Sequence, residues 1–207
     1  MVFLAENVRP PVIGECLWNS ETDESNLIPT VIPVMRKQKG FPFRYSAVTR
    51  SIETPHLAEL PALLIKGEGS FNPDLFEKST LEEYMKSGGL VLFEAMADRE
   101  GMSFLNEAKQ TVKTLLPKNS TLEDIGKDKD LMGTLAGKVQ IQAFKRENGS
   151  LAAAFLPVLT NSGPEGLPKS IAARALYNMM LQKISPEILE DSYPSSISSN
   201  ETSVEAE

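Results

Sequence analysis

Residues 60–101 read LPALLIKGEGSFNPDLFEKSTLEEYMKSGGLVLFEAMADREG. The run PALLI, residues 61–65, is short, apolar and stopped by Lys66 and a glycine pair, which predicts a strand buried on both faces. Gly67 and Gly69 flank Glu68; two glycines around one residue permit a sharp bend and a close approach to the main chain. Asn72-Pro73 predicts a helix start, with Asn72 as cap and Pro73 in the first turn. Thr80 and Glu83 offer a capping box should the helix restart there. Leu81, Tyr84 and Met85 form one apolar stripe, and Gly88-Gly89 closes the helix. LVLF, residues 90–93, predicts a second buried strand, with Glu94 and Asp98 just past its end. Strand, crossover helix and strand make a βαβ unit with parallel pairing. Ligands of open parallel sheets bind beyond the carboxyl ends of the strands. The glycine loop and the Glu94–Asp98 loop are therefore expected to be neighbours on that rim.

This stretch resembles a prokaryotic family known as domain of unknown function 4159. The family shows an apolar strand, a T-G-H-G-x-F loop, a helix ending Y-L-x-x-G-G, and a strand running into A-D-D. The matching residues here are Lys66-Gly67-Glu68-Gly69-Ser70-Phe71, then Tyr84-Met85-Lys86-Ser87-Gly88-Gly89, then Phe93-Glu94-Ala95, without a gap. A weaker resemblance extends over residues 13–184. It implies a fold similar to class I glutamine amidotransferases: a flavodoxin-like α/β three-layer sandwich with a mostly parallel sheet and helices on both faces. Two departures matter. The loop histidine of the family is Glu68 here, and its second aspartate is Ala95. An activity carried by those two residues would be missing from this chain.

The remaining chain fits one domain of 207 residues. Residues 1–11 predict an extended arm, since positions before proline avoid helix. VIGECLW, residues 12–18, predicts the first strand, with Cys16 and Trp18 on one face and Leu17 on the other. A polar loop with Asp23 and Glu24 follows, then a helix over 25–39 and a strand over 43–48. His56, the single histidine, lies in a polar loop and reads as a surface residue. Residues 102–116 form a strong helix with a core stripe from Phe104 to Leu116. Residues 118–137 read as a polar connector with a helical turn at 128–132. Asn148-Gly149 between 138–144 and 151–158 is a hairpin signal, which predicts an antiparallel hairpin at one edge of the sheet. The loop 160–168 leaves a strand end, and residues 170–184 form the last helix. The domain thus spans 12–184, and the acidic, Ser-rich residues 185–207 predict a disordered tail.

Composition narrows the function. The formal charge is −7, but six acids and no Lys or Arg fall in 185–207, leaving −1 for the body. No basic stripe is present, which argues against a nucleic-acid partner. One cysteine excludes a disulfide framework and a Cys-based zinc site, and Cys16 reads as a core residue. No apolar run reaches membrane-spanning length. Residues 1–7 are too short and lack the basic start of a signal peptide. This predicts a soluble, cytoplasmic protein, or a periplasmic one if a longer natural chain was trimmed.

The common catalytic machines are missing. The turn after LVLFE is Ala95-Met96-Ala97, with no cysteine nucleophile and no histidine after 56, so the amidotransferase triad is absent. There is no G-x-S-x-G elbow, no P-loop and no dinucleotide fingerprint. No catalytic residue and no cofactor are assigned. The candidate ligand-binding residues are Gly67, Glu68, Gly69, Ser70, Phe71, Glu94 and Asp98. Three readings stay open. One is a non-catalytic binding module for a small polar ligand or a partner segment at the carboxyl edge. The second is a hydrolase using paired carboxylates or a carboxylate-held Mg²⁺ or Ca²⁺. The third is an assembly domain of a larger bacterial complex with solvated loop charges.

Overall fold

The computed structural model describes residues 12–18, 46–49, 52, 57, 60, 62–96, 98–132, 136–137 and 140–157. The expected arm, the helix over 25–39, His56, the 160–168 loop, the final helix and the tail lie outside these residues, as do Asp23 and Glu24. The elements are β1 (Val12–Trp18), β2 (Ser46–Thr49), β3 (Ala62–Gly67), α1 (Leu75–Lys86), β4 (Leu90–Ala95) and α2 (Asp98–Leu115). They continue with β5 (Thr121–Asp124), α3 (Lys129–Met132), β6 (Gln142–Lys145) and β7 (Leu151–Leu156).

The seven strands form one sheet in the order β2-β1-β3-β4-β7-β6-β5. The first five in that order are parallel, and β7-β6-β5 are antiparallel. This is the mostly parallel α/β architecture that the βαβ stretch predicts, with the Asn148-Gly149 hairpin on one side. Gly149 takes φ +80°, which the tight turn requires.

Alternation along the strands divides the sheet into two unlike faces. Cys16, Leu63, Ile65, Val91, Phe93, Ala153 and Phe155 point to one side, where α1 and α2 lay Leu81, Tyr84, Met85, Phe104, Leu105, Ala108 and Val112 on them. Phe71 joins this layer, edge-on to Phe93 at 5.3 Å and to Phe104 at 5.4 Å between ring centres. The opposite side carries Leu64, Leu92, Ala154 and Leu156, all buried. Both faces of the central strands are therefore covered, as in a three-layer sandwich.

Three sequence expectations shift. Helix α1 starts at Leu75, capped by Asp74 rather than Asn72, because Asp74 and Glu77 make a reciprocal capping box. It does not restart at Thr80, whose hydroxyl bonds back to the Phe76 carbonyl inside the helix. The polar connector contains β5, an edge strand exposed at all four positions. TLED lacks alternation because neither of its faces is buried. Third, Glu94 is not past the end of its strand. Strand β4 runs to Ala95 in register with Gly67, and Asp98 opens α2.

One side chain ties the amino-terminal end together. The Arg146 guanidinium donates to the carbonyls of Met85, Gly89 and Leu151 and to the Ser150 hydroxyl. It thereby satisfies the last turn of α1, the Gly88-Gly89 turn and the start of β7 with one planar group. The Tyr84 hydroxyl adds a bond to the Leu60 carbonyl at 2.9 Å, and burial pushes its pKa up.

Candidate functional site

The β3 and β4 strands end side by side, so the glycine loop and the β4–α2 turn meet at the carboxyl edge. The Met96 amide donates to the Gly67 carbonyl at 2.9 Å, and the Gly69 amide to the Glu100 carbonyl at 3.1 Å. Strand β1 flanks β3 on its other side. The strand order reverses direction between β1 and β3, which is where flavodoxin-like sheets open a crevice.

The two loop glycines answer different needs. A Cβ on Gly67 would lie 2.5 Å from Cε2 of Phe104, so this position must be bare for the ring to pack. Gly69 has φ +70° and open space around it; its requirement is conformational.

The loop itself is firmly tied. The Glu107 Oε2 atom accepts the Ser70 hydroxyl at 2.7 Å and the Phe71 amide at 2.9 Å. The Trp18 indole N–H donates to the Ser70 carbonyl at 3.0 Å, and its ring packs on Phe71 at 4.8 Å. With the Gly69 and Phe71 amides already engaged, the loop is a pre-organised wall rather than an open anion cradle. Phe71 is 2% exposed and belongs to the core.

The seven candidate residues do not gather at one point. Glu94 is fully buried, and its side chain lies on the face opposite Phe71 and Phe93. There it meets Lys66, its directly paired neighbour on β3, at 3.9 Å between Oε2 and Nζ. Glu15 of β1 lies on the same face, two positions lower in register, and is also fully buried. Glu68 is half-buried at the rim, and Ser70 and Phe71 belong to the α2 side. Asp98 is placed only as the first residue of α2. Among the described residues no group of three His, Cys, Asp or Glu stands close enough to hold a metal ion.

Glu15 and Lys66 were not among the candidates that the sequence singled out. Lys66 reads as the polar stop of its strand, whereas it is a strand residue with no exposed surface. Each of the two is the single charge inside an otherwise apolar run, VIGECLW and ALLIKG. Such residues are almost never fully buried unless paired, and that was the available signal.

Three charges on three adjacent strands, within three residues of the carboxyl ends, are costly in a sheet interior. An ion loses several kcal/mol of hydration on burial, and apolar replacement of such groups is often neutral or stabilising. Buried charge of this kind concentrates at functional sites. Cys16, on the other face, is a contrasting case. Burial pushes its thiol up to about 11, so it is an inert core group.

A concave feature lies on the flank of α2. A cavity of about 450 Å³ is bounded by Ser70 and Asn72 of the loop and by Asn106, Glu107, Lys109, Gln110 and Thr111 of the helix. Another, of about 530 Å³, sits at the opposite edge beside Arg146, whose donors are already used as above.

No functionally curated protein matches the chain. The family model called domain of unknown function, DUF4159, matches residues 17–153, from the end of β1 to the middle of β7. That span includes the glycine loop, the Gly88-Gly89 helix end and the Lys66–Glu94 pair. With more than half of the chain covered, and the predicted strand–loop–helix–strand unit in place, the protein belongs to the DUF4159 family.

Proposed function

We propose that this domain is a non-catalytic binding module that holds a small polar ligand in the crevice beyond the carboxyl ends of β1 and β3. The observation that carries this reading is the set of buried charged side chains, Glu15, Lys66 and Glu94, near the carboxyl ends of β1, β3 and β4. A sheet under selection for stability alone gains nothing from them. Glu68, half-buried at the rim, adds a hydrogen-bond acceptor there, which suits a ligand that presents hydrogen-bond donors. The order of the five parallel strands, β2-β1-β3-β4-β7, follows the flavodoxin-like pattern and supports an amidotransferase-like scaffold used without its triad.

The test is a thermal-shift screen of small amines, amino acids, nucleotides and sugars against the full chain. A compound present at about a hundred times its Kd stabilises by about 2.7 kcal/mol. For a domain of this size that raises Tm by roughly 5–11 °C. The Lys66→Met/Glu94→Leu variant is expected to lose the ligand-induced shift. If that variant loses several kcal/mol of stability and no compound shifts the parent, the charges are structural and the reading fails.

A further inference from the structure

The hairpin between β6 and β7 turns through Arg146-Glu147-Asn148-Gly149-Ser150, and Glu147, Asn148 and Gly149 are exposed to water. Two main-chain bonds close it. The Gly149 amide donates to the Arg146 carbonyl at 2.8 Å, and the Arg146 amide to the Ser150 carbonyl at 2.8 Å. The carboxamide carbon of an asparagine lies within reach of the next residue's main-chain nitrogen. Glycine, with no Cβ, obstructs that nitrogen least.

The Asn148 carboxamide is polarised by its neighbours. Its Oδ1 atom accepts the Ser150 amide at 3.0 Å and the Ser150 hydroxyl at 2.7 Å. That hydroxyl in turn accepts Nη1–H of Arg146 at 3.1 Å. A guanidinium thus polarises a hydroxyl, which polarises a carbonyl. Two fixed donors on one oxygen, backed by a positive charge, suit the oxyanion that forms when a nucleophile adds to that carbonyl.

We propose that Asn148 is a self-modification site, deamidating through a succinimide while Ser150 and Arg146 stabilise the oxyanion. The Gly149 nitrogen gives its proton to hydroxide and forms a bond to Cγ of Asn148. The carbonyl electron pair moves onto Oδ1, where the two Ser150 donors meet it. As the carbonyl re-forms, the Cγ–Nδ2 bond breaks, and the nitrogen takes a proton from water and leaves as ammonia. Water then opens the cyclic imide at either carbonyl, giving aspartate or isoaspartate. The sequence of steps consumes only water. The bond from Gly149 to the Arg146 carbonyl must open first, a local event at an exposed hairpin tip.

The two products act differently on the rest of the fold. Aspartate leaves the main chain unchanged. Isoaspartate adds one carbon to it, between the two bonds that close the hairpin on Arg146. The guanidinium of that residue also holds the carbonyls of Met85, Gly89 and Leu151. Modification at the tip is therefore transmitted to the end of α1 and the start of β7.

The experiment incubates the full chain in mildly alkaline buffer and follows it by proteolysis and mass spectrometry. The peptide carrying residue 148 is expected to gain the mass difference between NH₂ and OH, with isoaspartate identified by enzymatic methylation. Asn72-Pro73 is an internal control, since proline has no N–H to lose. Ser150→Ala is expected to slow conversion about fivefold in the folded chain, and Ser150→Thr to restore it. In concentrated urea, where the turn is lost, the parent and Ser150→Ala are expected to convert at the same rate. The isoaspartate form, separated by ion exchange, is expected to melt below Asn148→Asp. Melting curves verify that the variants fold. Absence of conversion at Asn148 in the folded chain, or a Ser150→Ala chain that converts as fast as the parent, would overturn the proposal. So would an equal slowing by Ser150→Ala in urea.

Discussion

Gly67→Ala separates packing from backbone conformation within one loop. The added methyl carbon lies 2.5 Å from Cε2 and 2.8 Å from both Cδ2 and Cζ of Phe104. Carbon atoms prefer roughly 3.5–4.0 Å, so the ring must retreat by about 1 Å. It has nowhere to go: Phe104 has no exposed surface, and the Phe71 and Phe93 rings stand 5.4 and 6.2 Å from it, centre to centre. Overpacking of this kind costs about 1–3 kcal/mol, and a wedged aromatic ring puts the cost near 3. For a domain of this size that lowers Tm by roughly 6–12 °C. Gly69→Ala meets open space and incurs only the strain of φ +70°, about 1 kcal/mol, or roughly 2–4 °C. Thermal melts followed by circular dichroism give both values. A double-mutant cycle supplies the sharper test. Phe104→Leu relieves the clash, so Gly67→Ala and Phe104→Leu are non-additive by about 1 kcal/mol or more. Gly69→Ala and Phe104→Leu are additive. Equal costs for the two glycine substitutions, or additivity in the Gly67 cycle, would refute the reasoning.

Other consequences are open to measurement. Arg146→Lys keeps the charge but not the planar fork, so at least one carbonyl among Met85, Gly89 and Leu151 loses its donor; urea denaturation is expected to show a loss of about 1.5–3 kcal/mol. Glu107→Ala frees the Ser70 hydroxyl and the Phe71 amide; faster hydrogen exchange at Phe71 and a shifted emission of Trp18, the single tryptophan, are expected together. Cys16 gives a pH signature. Burial raises its folded pKa to about 11, above the ordinary thiol value of 9.0, so the folded state keeps a proton that the unfolded chain releases. Stability from this group is complete below pH 9 and is lost as pH rises towards 11, by about 2–3 kcal/mol. Urea melts across that interval, compared with Cys16→Ala, isolate the contribution; a slope unchanged by the substitution would contradict it.

The βαβ unit was legible in the chain because its signals are local. The apolar run at β3, the stripe Leu81–Tyr84–Met85, the Gly88-Gly89 stop and the Asn148-Gly149 turn depend on residues a few positions apart, and each appears where its spacing places it. Asp74 outcompeted Asn72 as the helix cap through a partner, Glu77, that the sequence also displays. Strand β5 was illegible, since an exposed edge strand has no buried side to write a pattern.

The site needed tertiary structure for a different reason. Sequence spacing brings the glycine loop and Glu94 to one edge, but the two-residue period of a strand decides which side of the sheet a carboxylate enters. That period sends Glu94 to Lys66 and Glu15 on one face while Phe71 packs into the aromatic layer on the other. Pairing between β1, β3 and β4 spans gaps of tens of residues, and no local rule reports which charges those gaps will bring together. The chain determined that a glycine bend and an acidic strand end share a rim. Only the register of the folded sheet decided that the carboxylate of that strand end is a buried partner of a lysine.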